Sequence, residues 1–513
     1  MSESRSKLVS RRAALGLLLG GVAGAALGQD SAAVSFSSPF PRPRPAGFHK
    51  RAIASSEALI AASGLSGQVS FALADAATGE MLEARHPVLR LPPASVAKAV
   101  TSIYALETLG AGFTFETRVY ATGPVDAGKI QGDLILVGGG DPTLDTDMLA
   151  GLAANVRAAG ITGVTGRFLI WDGALPRIEQ IDDQQTEYAG YNPTITGLNV
   201  NYNRVHFEWK RSGADYTVKM DARAERYAPD VRIASMRIAP RDLPVFDWDA
   251  GQGRDEWSVA RSALGNGGAR WLPVRLPALY AGEVFQAVAR QNGIALPKAE
   301  RAEGKPTGNQ IATHKSPPLA QMVKEMLLYS TNLTAEVLGL SATLARVGAG
   351  VGARGAEAVT LKSSAAAMNA WAEARLGMRH LSFVDHSGLG GESHVSTSDM
   401  VRLFAARGIE PLIGPLLKSI AMPDATGKKV DPDHPVRVIA KTGTLDFVST
   451  LAGYVTGPDG RRMAFAIFAA DLPARARAKA AGDEVPRGAK TFNSSAKKLQ
   501  KQLLDRWGMI YAS

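Results

Sequence analysis

The sequence predicts an α/β fold of the segregated α+β kind, an antiparallel sheet flanked by helices and interrupted by a large β-rich insertion. Three observations carry that prediction. Near the N-terminus a hairpin, Gln68 to Ala74 returning at Glu80 to Ala84, runs into a proline-led apolar helix beginning at Ser95. Near the C-terminus Val436 to Ala440, Thr450 to Thr456 and Arg462 to Ala469 read as strands. A Gly457-Pro458-Asp459-Gly460 turn joins the last two, and the amphipathic run Thr491 to Trp507 follows. Between Phe115 and Pro297 the texture changes to short strand-like runs broken by Gly, Pro and Asn. The two outer halves need each other to complete one sheet.

Taken in order, residues 1–28 read as a signal peptide. Arg5, Lys7, Arg11 and Arg12 precede the uncharged run Ala13 to Leu27, which falls short of the roughly 20 residues that span a bilayer. Ala26-Leu27-Gly28 offers a small-residue cleavage site, and an uncleaved anchor is the alternative. Ser10-Arg11-Arg12 looks like a twin-arginine export signal; with Ala14 in place of the usual bulky residue, the general secretory route stays open. Residues 29–46 carry Pro39, Pro41, Pro43 and Pro45 and read as an extended linker. Folding is expected to begin near Gly47, with 47–115 and 295–513 forming one domain and 116–294 an inserted, mostly β region of one domain or two nested ones.

Within the insertion, Asp133 to Val137, Arg167 to Trp171 and His206 to Lys210 are strand candidates. Gly138-Gly139-Gly140-Asp141-Pro142 lacks the Lys-Ser/Thr pair of a phosphate loop and reads as a tight turn. The Asn199, Asn201, Asn203 alternation suggests a turn and one face of a strand. Helical periodicity resumes at Ser316 to Leu344 and Ala356 to Arg375.

The 513 residues are 45% hydrophobic, ample for a large core, and the net charge is +10. Basic residues are scattered with no aromatic-interleaved stripe, so a nucleic-acid partner is not expected, and a basic exported enzyme beside anionic polymers is the more economical reading. The absence of cysteine excludes disulfides, thiolate metal sites and a lipid-anchored N-terminal cysteine. The eight histidines show no zinc-type spacing, His386 and His394 included, and neither metal nor cofactor is expected.

Three constellations carry chemistry. Ser95 and Lys98 stand at i and i+3 on the first helix, with Ser102 at i+7, so they share one face. A lysine there must find partners or lose its proton, which makes it an amine base beside a nucleophile, and the helix N-terminus adds a backbone amide where an oxyanion would develop. In Tyr329-Ser330-Thr331-Asn332, Ser330 and Asn332 face one site only if the helix breaks there, Asn332 then being able to cap the next helix. The functional reading gives Ser330 a proton-shuttle role beside Lys98, and Asn332 a hydrogen bond to a substrate amide. In Lys441-Thr442-Gly443-Thr444 an edge strand and a cation suit an extended peptide with a free carboxylate. Lys441 sets the field and Thr442 or Thr444 bonds the carboxylate, while Gly443 lets a peptide come close and the Thr444 amide serves as second oxyanion donor beside that of Ser95. Taken singly, each has a plainer reading: a serine cap, a capping turn, a solvated lysine before a turn. No dedicated carboxylate base stands out, and Glu107 reads as structural.

In that order, the three motifs resemble those of penicillin-binding proteins and serine β-lactamases. The long gap between the first two is similar to the low-molecular-mass class C penicillin-binding proteins, the D-alanyl-D-alanine carboxypeptidase/endopeptidases of the DacB type (peptidase family S13). Gly138 to Leu144, His314-Lys315-Ser316-Pro317-Pro318-Leu319 and Asp385-His386-Ser387-Gly388-Leu389 are family-like as well. The resemblance covers nearly all of 50–511 and implies a transpeptidase-type fold with the insertion between the first and second motifs. It further implies that Ser95, Lys98 and Ser330 are catalytic, that Asn332, Lys441, Thr442, Gly443 and Thr444 bind substrate, and that the activity is that of a periplasmic serine-type D-Ala-D-Ala carboxypeptidase, with endopeptidase activity, on peptidoglycan stem peptides. β-Lactams would acylate Ser95. Peripheral membrane association and oligomeric state stay open. Competing readings are a β-lactamase or esterase, or a catalytically weak peptidoglycan-binding scaffold. One stretch departs from the family pattern: Gly390, Gly391, Glu392, Ser393 and His394 stand where Ser, a basic residue and Asn are usual. That departure bears on the rim of the site and on side-chain preference.

Overall fold

Six strands build the sheet that both halves of the chain share, in the order Met81–Arg85, Gln68–Asp75, Arg462–Ala470, Val448–Thr456, Arg437–Leu445, Lys418–Ser419, with every neighbour antiparallel. The computed structural model describes residues 53–251, 253–348, 358–424, 426–427, 429–482 and 486–511. The expected signal peptide (1–28) and proline-rich linker (29–46) lie outside the described residues.

Side chains alternate across this sheet, and the two faces bury different partners. Val69, Phe71 and Leu73, with Phe465 and Ile467, face the C-terminal helix Ala489–Ile510, whose Leu499, Leu503 and Trp507 complete that layer. The Trp507 ring lies 5.3 Å from that of Phe71, and truncating a buried aromatic of this kind costs about 3–5 kcal/mol. Ala72, Ala74, Ala464 and Ala466 turn the other way, and their small side chains admit the helix Thr397–Ala405 and, behind it, the main helical layer. In that layer lies the helix Ala97–Leu109, buried from Ala97 to Leu106 as its all-round apolar sequence requires. It packs on the helices Leu319–Tyr329 and Asn332–Arg346.

The inserted region differs from expectation in three respects. Besides its strands it holds two long helices, Thr146–Ala158 and Pro277–Gln291, packed on one face of a five-stranded sheet. That sheet runs Ala299–Arg301, Phe168–Trp171, Leu134–Val137, Glu116–Ala121, Asn309–Lys315, so it takes two strands from beyond residue 294. Alanine-rich helices with few charges carry a weak amphipathic signal, which is why the first was hidden among turns. Asn201, Tyr202 and Asn203 are three successive left-handed residues (φ 53, 57 and 51°), not a strand face. Asparagine tolerates that region better than most residues, and Asn203 uses its side chain to bind the Val200 amide and the Thr194 carbonyl.

A strap of the inserted region, residues 175–195, returns to the helical layer, burying Leu175, Ile181 and Ile195 in the same core as the helix Ala97–Leu109. Buried Arg275 holds it by donating to the carbonyls of Glu187 (2.7 Å) and Asn192 (3.1 Å). The strap is thereby fixed beside Ser95.

Candidate active site

Ser95 does not open the α-helix directly. It is the middle residue of a 3-10 turn, Ala94–Val96, and Ala94 before it has φ 47°. Such a conformation costs on the order of 1–3 kcal/mol and persists only where its surroundings hold it. Two glycines do so. A Cβ on Gly388 would lie 2.7 Å from the Ala94 carbonyl carbon, and one on Gly443 would lie 2.8 Å from the Pro93 oxygen. The Thr450 hydroxyl adds a 2.6 Å bond to that oxygen. The missing side chain of Gly443 makes room for Thr450 Oγ1 and for the turn that presents Ser95.

Lys98, one turn on, is fully buried, and its Nζ donates to Ser95 Oγ (3.0 Å), Asn332 Oδ1 (2.7 Å) and the Ser387 carbonyl (2.9 Å). Burial lowers its pKa to about 8, against the opposing pull of Glu336 and Asp385. Three acceptors satisfy the ammonium. When it loses a proton, Asn332 and Ser387 still fix two hydrogens and the lone pair is left for the Ser95 hydroxyl, the alignment a general base needs. Ser102, expected on the same face, turns back to the Lys98 carbonyl (2.6 Å).

The helix break at the second motif is present. Leu319–Tyr329 ends at Ser330, which is left-handed (φ 62°), and the next helix starts at Asn332. Thr331, not Asn332, occupies the cap position, which frees the Asn332 amide for Lys98 on one side and the strap's Tyr191 carbonyl (3.0 Å) on the other. Ser330 accepts from Lys441 Nζ (3.0 Å) rather than from Lys98. Lys441 is 1% exposed, and burial, then the Lys98 charge, lowers its pKa well below the ordinary value. Two hydroxyl–amine pairs, Ser95 with Lys98 and Ser330 with Lys441, therefore meet at one place.

Lys441, Thr442, Gly443 and Thr444 lie on the strand Arg437–Leu445, where Lys441 and Gly443 are buried and both threonines exposed. Lys418–Ser419 pairs only with Ile439 and Ala440, so among the described residues the stretch from Lys441 onward has no strand on its outer side. Ser95, Ser330, Asn332 and Thr444 line a cavity of about 960 Å³. Thr442 does not line it.

Several lining residues were not foreseen. Tyr191 and Gln184 come from the strap, and Arg475 and Lys479 from the helix Leu472–Ala481. Lys479 Nζ binds Gln184 Oε1 (2.7 Å) and lies 2.8 Å from where a Cβ on Gly391 would sit, so the unusual rim sequence admits this lysine. We expect Gly391→Arg to drive Lys479 off Gln184, raising KM for a stem peptide several-fold while leaving acylation by a simple penicillin within about threefold. Steady-state kinetics on both substrates checks this, and equal effects on the two would refute it.

Beneath the site lie two buried carboxylates, Glu336, which the sequence did not single out, and Asp385, noted only within a family-like stretch. Glu336 accepts from the amides of His386 (2.9 Å) and Ser387 (2.8 Å), and Asp385 from those of Gly388 and Gly390. A glutamate four residues after Asn332 in an otherwise apolar helix was the available signal. Glu107, read as structural, pairs with Arg375 (3.1 Å). Among the described residues no group of three His, Cys, Asp or Glu is placed to hold a metal ion, and no helix is long and apolar enough to cross a membrane.

Comparison with known proteins gives a consistent picture. A family model described as D-Ala-D-Ala carboxypeptidase 3 (S13) matches residues 54–487. A D-alanyl-D-alanine carboxypeptidase of Actinomadura sp. (strain R39) is 29% identical over 473 residues, covering 85% of this chain and 86% of the relative. The D-alanyl-D-alanine carboxypeptidase DacB of Haemophilus influenzae is 25% identical over 394 residues, 73% of this chain and 79% of that one. The crystal structure of penicillin binding protein 4 (dacB) from H. influenzae superposes with a TM-score of 0.68 at 19% identity, over 88% of this chain and 99% of the other, which establishes a shared fold.

Proposed function

Because this chain belongs to the D-Ala-D-Ala carboxypeptidase 3 (S13) family and is a serine-type hydrolase of that kind, we propose that Ser95 is its nucleophile and Lys98 the base that activates it. The observation that carries this reading is the 3.0 Å contact between Ser95 Oγ and a fully buried Lys98 Nζ. In the proposed reaction Ser95 Oγ bonds to the penultimate D-alanyl carbonyl carbon of a peptidoglycan stem peptide while its proton passes to Lys98. The backbone amides of Ser95 and Thr444 receive the oxyanion. The C–N bond then breaks as the leaving D-alanine nitrogen takes a proton from the Ser330 hydroxyl, which Lys441 replaces and solvent restores, while Lys98 releases its proton to solvent. Water then attacks the ester carbon and gives a proton to Lys98, which passes it to Ser95 Oγ as the ester bond breaks and the shortened peptide leaves.

The roles of the other residues follow from chemistry. Asn332 exchanges the Tyr191 carbonyl for a substrate carbonyl, and the open edge at Thr442 to Thr444 pairs with the peptide, Gly443 supporting the turn behind. Lys441 and Thr442 or Thr444 draw in the terminal carboxylate. Endopeptidase action on cross-linked stem peptides, acylation by β-lactams, and export through the N-terminal segment to the periplasm belong to the same proposal, as does a catalytic domain of 47–115 and 295–513 around an insertion of 116–294, whose sheet borrows the strands Ala299–Arg301 and Asn309–Lys315 from the following segment.

Labelled penicillin is the direct test. We expect wild type to acquire a covalent label that survives denaturation and Ser95→Ala to acquire none; labelling of Ser95→Ala would refute the assignment. Rapid turnover of the penicillin without stable label would favour a β-lactamase instead.

A further inference from the structure

Lys98 meets its neighbours through a turn, Asp385 to Gly388, that carries no catalytic group itself. Thr101 Oγ1 binds the His386 carbonyl (2.6 Å), Ser364 Oγ meets His386 Nε2 (2.8 Å), and Asp385 closes the turn on the amides of Gly388 and Gly390. The turn is thus tied to two helices, Ala97–Leu109 and Leu361–Leu376. Among the described residues, its hydrogen bond to the reacting groups is that of the Ser387 carbonyl with Lys98 Nζ (2.9 Å). The peptide group and residue that present this carbonyl are held by Glu336, through the His386 and Ser387 amides (2.9 and 2.8 Å).

Glu336 is fully buried on the same helix as Asn332, one turn further on, so one helix supplies both a direct and an indirect contact to the lysine. Gly339, a further turn along, has no side chain because a Cβ there would overlap the His386 ring. Burial, then Asp385, pushes the Glu336 carboxyl up, and the amides it accepts from pull it back. Each oxygen accepts an N–H, an arrangement that favours the ionised form against the burial that pushes the carboxyl up to about 8.

We propose that Glu336 is a positioning residue for acylation: it pins the turn that aims the Ser387 carbonyl at Lys98, and its negative charge sets the pH at which Lys98 becomes free to take the Ser95 proton. The inference rests on the assignment of Ser95 and Lys98 above. The charged and titratable groups facing Lys98 are Glu336 from the helix Asn332–Arg346, Asp385 from the turn, and Lys441 from the strand Arg437–Leu445. Burial keeps His386 of the same turn neutral, its pKa lowered to about 3. The two carboxylates hold the proton on Lys98 and Lys441 opposes them.

The test is the rate of acylation by labelled penicillin between about pH 5 and 10 in the full chain. Glu336→Gln removes the charge and one of the two acceptors. It should move the acidic limb to lower pH by about one unit and lower the plateau about tenfold or more. Glu336→Asp keeps the charge but withdraws it from the amides, and should lower the plateau with the limb in place. An unmoved limb in Glu336→Gln overturns the proposal, whatever the rate or melting temperature does. If Glu336→Gln does not fold, Glu336→Asp decides: an unchanged plateau or a shifted limb overturns it. Ser95→Ala, run in parallel, separates the two levels, since label on that variant refutes the underlying assignment rather than the role of Glu336.

Discussion

Replacing Lys98 by methionine is expected to slow acylation of Ser95 by about a hundred- to ten-thousand-fold, the range a positioned general base contributes. Methionine fills a comparable buried volume without a charge, so the fold should survive; removing an ammonium from a fully buried site relieves desolvation even as the Asn332 and Ser387 acceptors lose a donor. The effect should separate cleanly from stability. The pH dependence gives the sign. Burial lowers the Lys98 pKa to about 8, so the neutral base is scarce below that value, about one molecule in ten at pH 7, and predominates above it. Wild-type acylation should rise with pH through about 8, whereas Lys98→Met should be flat. Stopped-flow acylation with a fluorescent penicillin reads both, and a methionine variant within tenfold of wild type would exclude Lys98 as the base.

Gly443→Ala should be nearly as severe by a different route. The added methyl would overlap Thr450 Oγ1, the hydroxyl that bonds the Pro93 oxygen, and would lie 2.8 Å from that oxygen and 3.0 Å from Ala94 Cβ, against the turn that holds Ala94 at φ 47° and presents Ser95. The strand cannot withdraw easily, because residues 437–445 are registered along their whole length against 448–456. Overpacking of this kind costs about 1–3 kcal/mol, and a displacement of Ser95 approaching 1 Å costs about a hundredfold in rate. We expect a lowered melting temperature together with an acylation rate down at least that far. A variant that melts lower yet acylates normally would show that the turn adapts, and that its strained geometry is not what Ser95 requires.

Much of the fold was legible because it rests on local periodicity. The hairpin before Ser95, the three C-terminal strands and the final helix each declare themselves through alternation or a 3.6-residue repeat within a few consecutive residues. The same holds for part of the site: a spacing of three on a helix brings Ser95 and Lys98 together, and a run of poor helix formers breaks the helix between Ser330 and Asn332. The helices within the insertion and the left-handed Asn201 to Asn203 were not legible, since small residues and asparagine fit several backbone states and tertiary contacts choose among them.

What the sequence alone determined is therefore the inventory: a serine and an amine one helical turn apart, a second hydroxyl and an amide at a helix break, and a lysine on a strand. Tertiary structure decided how these combine. It paired Ser330 with Lys441 rather than Lys98, used Gly443 and Gly388 to hold the turn before Ser95, and set Glu336 and Asp385 beneath the lysine. The physical reason is that hydrogen-bond distance and desolvation depend on residues far apart in the chain. Spacing along a helix or strand reports only which side chains share a face; what that face meets, and whether water reaches it, is settled when the layers close.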